Sequence, residues 1–333
     1  DLSTPNFLDP SLIPDLDIAI NLPTAPIYNV QSFDGGTVPD KINLTDLLTT
    51  TTVEFNPDFK KDLIIINDKK EEGEGSRVVK HLDRIRKLVK INYRAKVVSQ
   101  NNFPTGTGLS SSASGFAALT VAGAKAAGLN LSEKELSILA RQGSGSACRS
   151  IPDGFVEWLD GDTNETSYAV SLYPHSYWDI VDVVTIVSKN KKDVSTTEGQ
   201  KLAGSSPFFP LRLERINERI KLIKKYLKEK DFKNFGELIE QEALELHAIM
   251  LTSSPSLIYW LPGTLKVMHA VKRWREEGLQ VYFTVNTGQD IHLICQKKDI
   301  EKVVRKAKEV SDVQKTIINY PSKGARLTKN HLF

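Results

Sequence analysis

The sequence lacks long hydrophobic runs and a clear excess of either charge. No apolar stretch among its 333 residues approaches the ~20 residues that a membrane-spanning helix needs. Lysine and arginine number 44 against 41 aspartate and glutamate residues, and no long run carries one sign of charge. A surface that follows a phosphate backbone needs such a run. We therefore expect neither a membrane nor a nucleic acid as a partner.

Cysteine is also scarce. Cys148 and Cys295 are the two cysteines, and neither belongs to a CxxC or Cys/His cluster with the spacing of zinc ligands. This scarcity excludes a disulfide framework and favours a reducing compartment. The opening segment DLSTPNFLDP has neither the basic nor the apolar region of a signal peptide. These features predict a cytoplasmic protein without a metal site of its own.

The first forty residues contain no lysine or arginine but six prolines. Proline removes a backbone donor and clashes with the preceding helical turn, so extended segments and turns are expected there. Beyond residue 40, helical and strand patterns mix without strict βαβ alternation, which predicts an α+β fold. Glycines and small-residue loops concentrate before residue 190, and amphipathic helices follow it. The sequence thus predicts two domains, 1–190 and 191–333.

Individual elements follow from periodicity, β-branched runs and capping signals. A capping box formed by Ser132 and Glu135 opens a helix through Arg141, and an Ala-rich helix follows a small-residue loop near residue 110. Other helices are predicted over 77–89, 211–250 with a break near 231, 257–277 and 300–310. Strands are predicted over 50–55, 62–68, 94–100, 181–189, 279–287, 291–296 and 316–320.

The first functional motif is PTGTGLSSSA, which spans 104–113 and runs into the Ala-rich helix. Its small residues expose backbone N–H groups, its serines supply hydroxyl donors, and a helix start carries positive partial charge, so the motif predicts an anion site. The alternative is a Ser-rich N-cap of a structural helix. The motif is not a Walker A loop, because the GK[ST] ending is absent. Its candidate residues are Gly106, Gly108, Ser110, Ser111 and Ser112.

The second motif is GSGSACRS, over 143–150. Small residues permit close approach of the backbone to a ligand, and Arg149 offers two parallel N–H donors to a carboxylate or phosphate. The alternative is a flexible loop with one surface arginine.

Together the two motifs resemble the diphosphomevalonate decarboxylase family of the GHMP-kinase superfamily. The segments that carry the resemblance are NNFPTGTGLSSSASGFAAL, LSEKELSILARQGSGSACRSIPDGFVEW and VYFTVNTG, and the likeness runs from about residue 45 to 318. Other GHMP kinases share the PxxxGLxSSA loop but not GSGSxxRS followed by GFxEW. The resemblance implies a two-lobed GHMP fold, a substrate in the cleft between the lobes, a phosphorylated mevalonate as that substrate, and a homodimer.

The resemblance also implies roles for individual residues. The serine triplet 110–112 matches the loop that holds the ATP phosphates. His247 matches a helix histidine of the family, for which we expect a hydrogen-bonded core position. The residues that match substrate-binding positions are Ser144, Ser146, Arg149 and Ser195, with Lys192 beside the last.

Two departures from the family pattern bear on the chemistry. The family's SNIALIKYWGK-like stretch supplies lysines to the substrate phosphates, whereas its counterpart here, LDIAINLPTAPIYNV, contains none. The family's DAGPN turn begins with a catalytic aspartate, whereas the corresponding residue here is Asn286. An amide cannot act as a general base at neutral pH, but it can donate a hydrogen bond to a phosphate already attached to the 3-oxygen. Asp153 stands where the family usually has glycine, either as a catalytic or orienting carboxylate or as a simple turn residue.

Three hypotheses follow. The first is a carboxy-lyase of isoprenoid biosynthesis that eliminates the 3-phosphate and CO2 from mevalonate 3,5-bisphosphate, giving isopentenyl phosphate without ATP, as in relatives from certain archaea. The second is an ATP- and Mg2+-dependent diphosphomevalonate or phosphomevalonate decarboxylase in which Asp290 or Asp153 replaces the lost carboxylate. The third is a non-catalytic descendant that binds an isoprenoid phosphate. The intact GSGSxxRS segment argues against the third, and the missing early lysines argue against the second, so the first leads.

Overall fold

The computed structural model describes residues 19–20, 27–31, 48–71, 76–103, 111–190, 193–329 and 331–333, the first two segments as backbone only. The described chain forms two compact units. The N-terminal unit contains the described residues between Ala19 and Tyr177 together with 320–333, and the C-terminal unit runs from Trp178 to Asn319. Helices and strands are mixed in both, as the α+β prediction required. The predicted domain limits, 1–190 and 191–333, stay a prediction.

The described strands are β1 (Ala19–Ile20), β2 (Ile27–Gln31), β3 (Leu48–Asn56), β4 (Leu63–Ile66), β5 (Lys69–Glu71), β6 (Arg94–Asn101), β7 (Phe155–Leu159), β8 (Tyr168–Tyr173), β9 (Ile180–Ile186), β10 (Val281–Thr284), β11 (Ile291–Gln296), β12 (Lys315–Asn319) and β13 (Arg326–Thr328). The described α-helices are α1 (Arg77–Val89), α2 (Ser111–Ala126), α3 (Glu133–Gly143), α4 (Thr196–Leu202), α5 (Phe209–Glu229), α6 (Phe232–Thr252), α7 (Pro262–Glu276) and α8 (Ile300–Glu309).

Helix α2 lies at the centre of the N-terminal unit. It is apolar around nearly its whole circumference, which is typical of a helix enclosed on all sides. It packs on β2 and β3 of a six-stranded sheet with the order β13-β2-β3-β6-β4-β5, and on α1 and α3. A smaller sheet, β1-β7-β8, belongs to the same unit. The start of α2, which carries the predicted anion motif, is thereby fixed by the core.

The C-terminal unit is built on an antiparallel sheet with the order β10-β11-β9-β12. Helices α6 and α7 pack on β10, and α8 packs on β9, β11 and β12. The predicted break in the long helical stretch is confirmed, because Asp231 caps α6 by accepting a hydrogen bond from Asn234 N–H. Helix α7 begins at Pro262, where proline costs no backbone hydrogen bond. Among the described residues, no helix combines the length and the apolar composition needed to span a bilayer.

Two strands of this sheet are shorter than the sequence predicts. The prediction of a strand over 181–189 was too long, since β9 ends at Ile186. The next backbone N–H, that of Val187, donates to the Asp290 carboxylate instead of to a neighbouring strand. The prediction of a strand over 279–287 was also too long, since β10 ends at Thr284. Beyond it the Asn286 carbonyl accepts from Gly288 N–H, which forms a turn.

Candidate functional site

The start of α2 carries the serines of the anion motif. Ser111 is the first residue of the helix, Ser112 is exposed, and the first turn contains no acidic residue. Ser114 Oγ donates to the Ser111 carbonyl at 2.9 Å, which stabilises that turn. The other members of the motif, Gly106, Gly108 and Ser110, lie outside the described residues.

The end of α3 brings the second motif against the first. Ser144 follows Gly143, the last residue of α3, and its N–H donates to Ala140. The side-chain oxygens of Ser144 and Ser112 lie 3.4 Å apart. The described part of the first motif therefore lies against the start of the second. Anion binding by either motif stays a prediction.

Close packing fixes this junction. A Cβ atom on Gly143 would lie 2.4 Å from the Phe116 ring and 2.9 Å from His81 Nδ1, so only glycine fits. Arg77 Nη2 donates to the Gly143 carbonyl at 2.8 Å. Burial lowers the pKa of His81 to about 3, so this histidine is neutral, and its Nε2 lies 2.8 Å from the Thr120 hydroxyl. The sequence analysis missed Arg77 and His81, because both lie on α1, far from the motif along the chain.

A short 3-10 helix, Gly145–Ser150, presents Arg149. The Arg149 side chain is buried, and its guanidinium carbon lies 5.8 Å from the centre of the Trp158 ring. Burial strengthens the attraction between a guanidinium and a carboxylate or phosphate, because water competes less. Ser146, on the same short helix, is half-buried. Burial also raises the pKa of the neighbouring Cys148 thiol to about 12, although Arg149 and Arg141 lower it, so this thiol is not a nucleophile.

Asp153 lies just beyond this helix and binds the C-terminal segment. Its Oδ1 accepts the Gly324 N–H at 2.6 Å, and Ala325 N–H donates to the Ser150 carbonyl. A Cβ on Gly324 would lie 2.0 Å from the Ile151 carbonyl oxygen, so the approach requires glycine. This contact is the kind that a turn aspartate makes. A catalytic role for Asp153 stays a prediction.

In the C-terminal unit, the turn after β10 holds Asn286. The residue is half-buried, and its carbonyl accepts a hydrogen bond from His247 Nε2 at 3.0 Å. His247 is itself buried on α6 and packs on Trp260 with ring centres 4.6 Å apart. Burial lowers the pKa of His247 to about 4, although the backbone at Asn286 and Val285 raises it, so the ring is neutral at pH 7. The expected hydrogen-bonded core position of His247 is confirmed.

Asp290 ends the same turn. It is 3% exposed, and its Oδ1 accepts the Val187 N–H at 3.0 Å. This hydrogen bond to the Asp290 carboxylate holds the backbone immediately after the end of β9. Its predicted alternative role, as the replacement for the family's catalytic aspartate, stays a prediction.

Ser195 is the N-cap of α4. Its Oγ accepts from Glu198 N–H, and its backbone N–H donates to Glu198 Oε2 at 3.0 Å, which forms a capping box. Tyr259 O–H donates to the Ser195 carbonyl at 3.4 Å. Lys192 lies outside the described residues. The structure therefore fixes the backbone around Ser195 and leaves its predicted contact with substrate as a prediction.

Comparisons with known protein families match almost the whole described chain. Residues 41–169 match the diphosphomevalonate decarboxylase-like N-terminal domain, and residues 182–330 match the mevalonate 5-diphosphate decarboxylase C-terminal domain. The chain belongs to the diphosphomevalonate decarboxylase family. As the family's members are decarboxylases, the protein is an enzyme of the carboxy-lyase class.

Individual family members agree with this assignment. A phosphomevalonate decarboxylase from Haloferax volcanii is 34% identical over 260 residues, which cover 77% of this chain and 78% of the relative. The crystal structure of mevalonate diphosphate decarboxylase from Staphylococcus aureus superimposes with a TM-score of 0.80 at 35% identity, covering 84% of this chain and 86% of that one. A second structure, MDDEF in complex with MVAPP, AMPPCP and magnesium, has a TM-score of 0.80 at 34% identity, covering 86% and 89%. The family's GHMP-kinase fold is therefore the fold of this chain.

Proposed function

We propose that the protein decarboxylates diphosphomevalonate or phosphomevalonate in the mevalonate pathway, using ATP to phosphorylate the 3-hydroxyl before CO2 is lost. The geometric support is the 3.4 Å separation of the Ser112 and Ser144 oxygens, since one serine belongs to the nucleotide-type loop and the other to the substrate-type loop. The relatives support the same choice, because the family member from Haloferax volcanii is a phosphomevalonate decarboxylase and MDDEF binds MVAPP together with an ATP analogue.

The residues at the start of α2 fit a nucleotide phosphate. Ser111 and Ser112 lie at a helix N-terminus whose first turn lacks acidic side chains, so the local potential favours an anion. When bound, ATP supplies the phosphoryl group that converts the 3-hydroxyl into a leaving group. Among the described residues, no three His, Cys, Asp or Glu side chains converge as a metal site. With nucleotides, magnesium is usually held by the phosphates together with one or two carboxylates.

The bond changes of the elimination step show which groups of the substrate the protein must hold. The bond between C3 and the phosphorylated oxygen breaks with its electrons going to the phosphate, the C1–C2 bond breaks to release CO2, and its electrons form the C2=C3 alkene. Positive character therefore develops at C3. We assign Arg149 to the substrate carboxylate, because a buried guanidinium orients that group through two parallel hydrogen bonds.

Asn286 is compatible with the phosphorylation step. Phosphoryl transfer passes through a loose transition state in which positioning and charge stabilisation matter more than early proton removal. An amide that accepts a hydrogen bond from the 3-hydroxyl orients the attacking oxygen, although it does not take the proton. We infer that Asn286 orients this hydroxyl and that turnover is slower than it would be with a carboxylate.

A second candidate function is the ATP-independent elimination of phosphate and CO2 from mevalonate 3,5-bisphosphate. One observation favours it, namely the amide at position 286, which suits a substrate that arrives with its 3-phosphate attached. The relatives favour the first candidate, since the named ones act on phosphomevalonate or are solved with MVAPP and a nucleotide analogue.

A substrate panel separates the two candidates. The purified enzyme is incubated with diphosphomevalonate, phosphomevalonate or mevalonate 3,5-bisphosphate, each with and without ATP and magnesium, and CO2 is measured. We expect CO2 from one of the first two substrates in the presence of ATP. CO2 from the bisphosphate alone, with none from the other two, would replace our proposal with the second candidate.

We also propose a homodimer, as the family resemblance implies. Exposed large apolar side chains among the described residues concentrate in the C-terminal unit, where Ile258 is 73% exposed. Light scattering on the purified protein should give twice the chain mass of 37.1 kDa. A cytoplasmic location stays a prediction from the sequence.

A further inference from the structure

The chain beyond the end of β9 is held by side chains of the 286–290 turn. Gln289 Nε2 donates to the Asn190 carbonyl at 2.7 Å and to the Ser188 carbonyl at 3.3 Å. Asp290 Oδ1 accepts the Val187 N–H at 3.0 Å. Backbone polar groups beyond the end of a strand need hydrogen-bond partners outside the sheet. Here the side chains of one turn bond three such groups.

The turn that supplies these partners is itself fixed. Thr264 Oγ1, on α7, donates to the Gln289 carbonyl at 2.7 Å, and Thr264 is fully buried. His247 Nε2, on α6, bonds the Asn286 carbonyl. Gln289 is 4% exposed, so its amide lies within this packing and not in solvent. A displacement of the turn would therefore be transmitted to residues 188–190.

We propose that Gln289 is a positioning residue that couples the turn bearing Asn286 to Ser188 and Asn190, which precede Ser195 in the chain. Ser195 and Asn286 are two of the positions assigned to the phosphorylated substrate, so the inference rests on the proposed function for the identity of the ligand. The amide of Gln289 holds the turn that bears Asn286 in a fixed relation to the backbone at Ser188 and Asn190. Its loss weakens binding of substrate more than it slows the chemical steps.

The chemistry of the amide explains why this residue type is needed. One NH2 group carries two donors and so satisfies two carbonyl oxygens at once. Glutamate at the same position would direct lone pairs at both carbonyls, and methionine would leave both without a donor. In the family's DAGPN pattern the corresponding residue is proline, which has no side-chain donor. The coupling is thus a feature of this chain's NTGQD turn.

The primary test compares Gln289→Met with Gln314→Met. Gln314 also donates to this stretch of chain, at the Val187 carbonyl and 3.2 Å away, but it lies outside the turn and precedes the part that leads to Ser195. For the phosphorylated mevalonate that supports turnover, we expect Gln289→Met to raise KM ~10-fold with kcat within ~3-fold of the parent, because misplaced binding groups weaken substrate binding. Gln314→Met should leave both constants within ~2-fold. A Gln289→Met enzyme with the parent's KM and a lowered melting temperature would overturn the proposal, because that result marks a purely structural residue.

Hydrogen exchange of the ligand-free proteins tests the coupling without reference to substrate. Backbone amides of 188–190 should exchange faster in Gln289→Met than in the parent or in Gln314→Met, and unchanged exchange would overturn the proposal. If the parent turns over none of the three phosphorylated mevalonates, the proposed function fails while the exchange result still decides the coupling. Should Gln289→Met not accumulate as folded protein, Gln289→Asn takes its place, because its shorter amide cannot span both carbonyls, and the same two results decide.

Discussion

The GSGS segment of the N-terminal unit and the 286–290 turn of the C-terminal unit are fixed in different ways. Each contacts a buried neutral histidine. His81 packs against Gly143, and His247 donates a hydrogen bond to the Asn286 carbonyl. The GSGS segment is held by steric fit, because Gly143 has no room for a Cβ. The turn is held by side-chain hydrogen bonds from Gln289 and Asp290.

This difference accounts for where the chain departs from its family's pattern. A segment held by steric fit accepts few substitutions, and GSGSxxRS is intact. A turn held by side chains can exchange residues if the hydrogen bonds are supplied in another way, and here DAGPN is replaced by NTGQD. The residues have therefore changed in the turn, while the GSGS segment has kept those of the family's pattern.

The largest expected effect comes from replacing Arg149, the cation of the GSGSxxRS segment. Arg149→Ala should reduce kcat/KM by at least ~30-fold, because a buried substrate anion loses a partner that contributes roughly 2–5 kcal/mol. Arg149→Lys should restore part of the activity, since lysine keeps the charge but not the two parallel donors. Steady-state kinetics decide, and activity within a few-fold of the parent in Arg149→Ala would show that this residue is peripheral.

Steric fit at Gly143 is tested by adding one methyl group. Gly143→Ala places a Cβ 2.4 Å from the Phe116 ring, so we expect the free energy of unfolding to fall by about 1–3 kcal/mol. Gly115→Ala is the control, because nothing lies within 4 Å of its Cβ and alanine favours a helix by about 1 kcal/mol. Urea unfolding measures both. Equal stability of the two variants would contradict steric fit as the device that fixes this segment.

Both buried histidines should make the free energy of unfolding depend on pH in the same direction. The pKa is about 3 for His81 and about 4 for His247, against 6.5 for either in an unfolded chain, so the unfolded state binds more protons between these values. The free energy of unfolding is therefore not reduced by these histidines above pH 6.5. It falls as the pH decreases towards 4, by about 2 kcal/mol per histidine between pH 7 and pH 5.

Unfolding of His247→Gln at the two pH values measures the contribution from the turn. We expect its loss of stability between pH 7 and pH 5 to be smaller than the parent's by about 2 kcal/mol. The exposed His269→Gln is the control and should retain the parent's pH dependence. If His247→Gln loses as much unfolding free energy between pH 7 and pH 5 as the parent does, the histidine that bonds the Asn286 turn is not held neutral in the folded protein.

The smallest expected effect concerns the amide in the turn. Asn286→Asp keeps the size of the side chain and restores a carboxylate, so ATP-dependent turnover should rise about 10-fold. This gain is smaller than the roughly 100-fold or more that a general base usually contributes, because the loose transition state of phosphoryl transfer depends less on proton removal. Lower turnover together with a raised KM for mevalonate 3,5-bisphosphate would instead favour the second candidate function, since the new charge repels a 3-phosphate.

Local features could be predicted from the sequence because they depend on neighbouring residues. Periodicity predicted α1 over 77–89, and the Ser132–Glu135 capping box is confirmed. The family resemblance assigned the serine loop to ATP phosphates and the GSGS segment to substrate, and the 3.4 Å separation of the Ser112 and Ser144 side-chain oxygens was not predicted. Contacts between distant residues carry no such pattern. Asp153 and Gly324 are 171 residues apart and Asp290 and Val187 are 103 apart, so neither contact, nor the early end of β9, could be predicted from the sequence.

The ratio of ADP to CO2 tests the proposed function most directly. The parent enzyme is supplied with ATP, magnesium and whichever of diphosphomevalonate or phosphomevalonate it uses, and both products are measured in the same reaction. We predict one ADP for each CO2, because each substrate molecule must be phosphorylated before it can eliminate. CO2 release without ADP would contradict ATP-coupled decarboxylation.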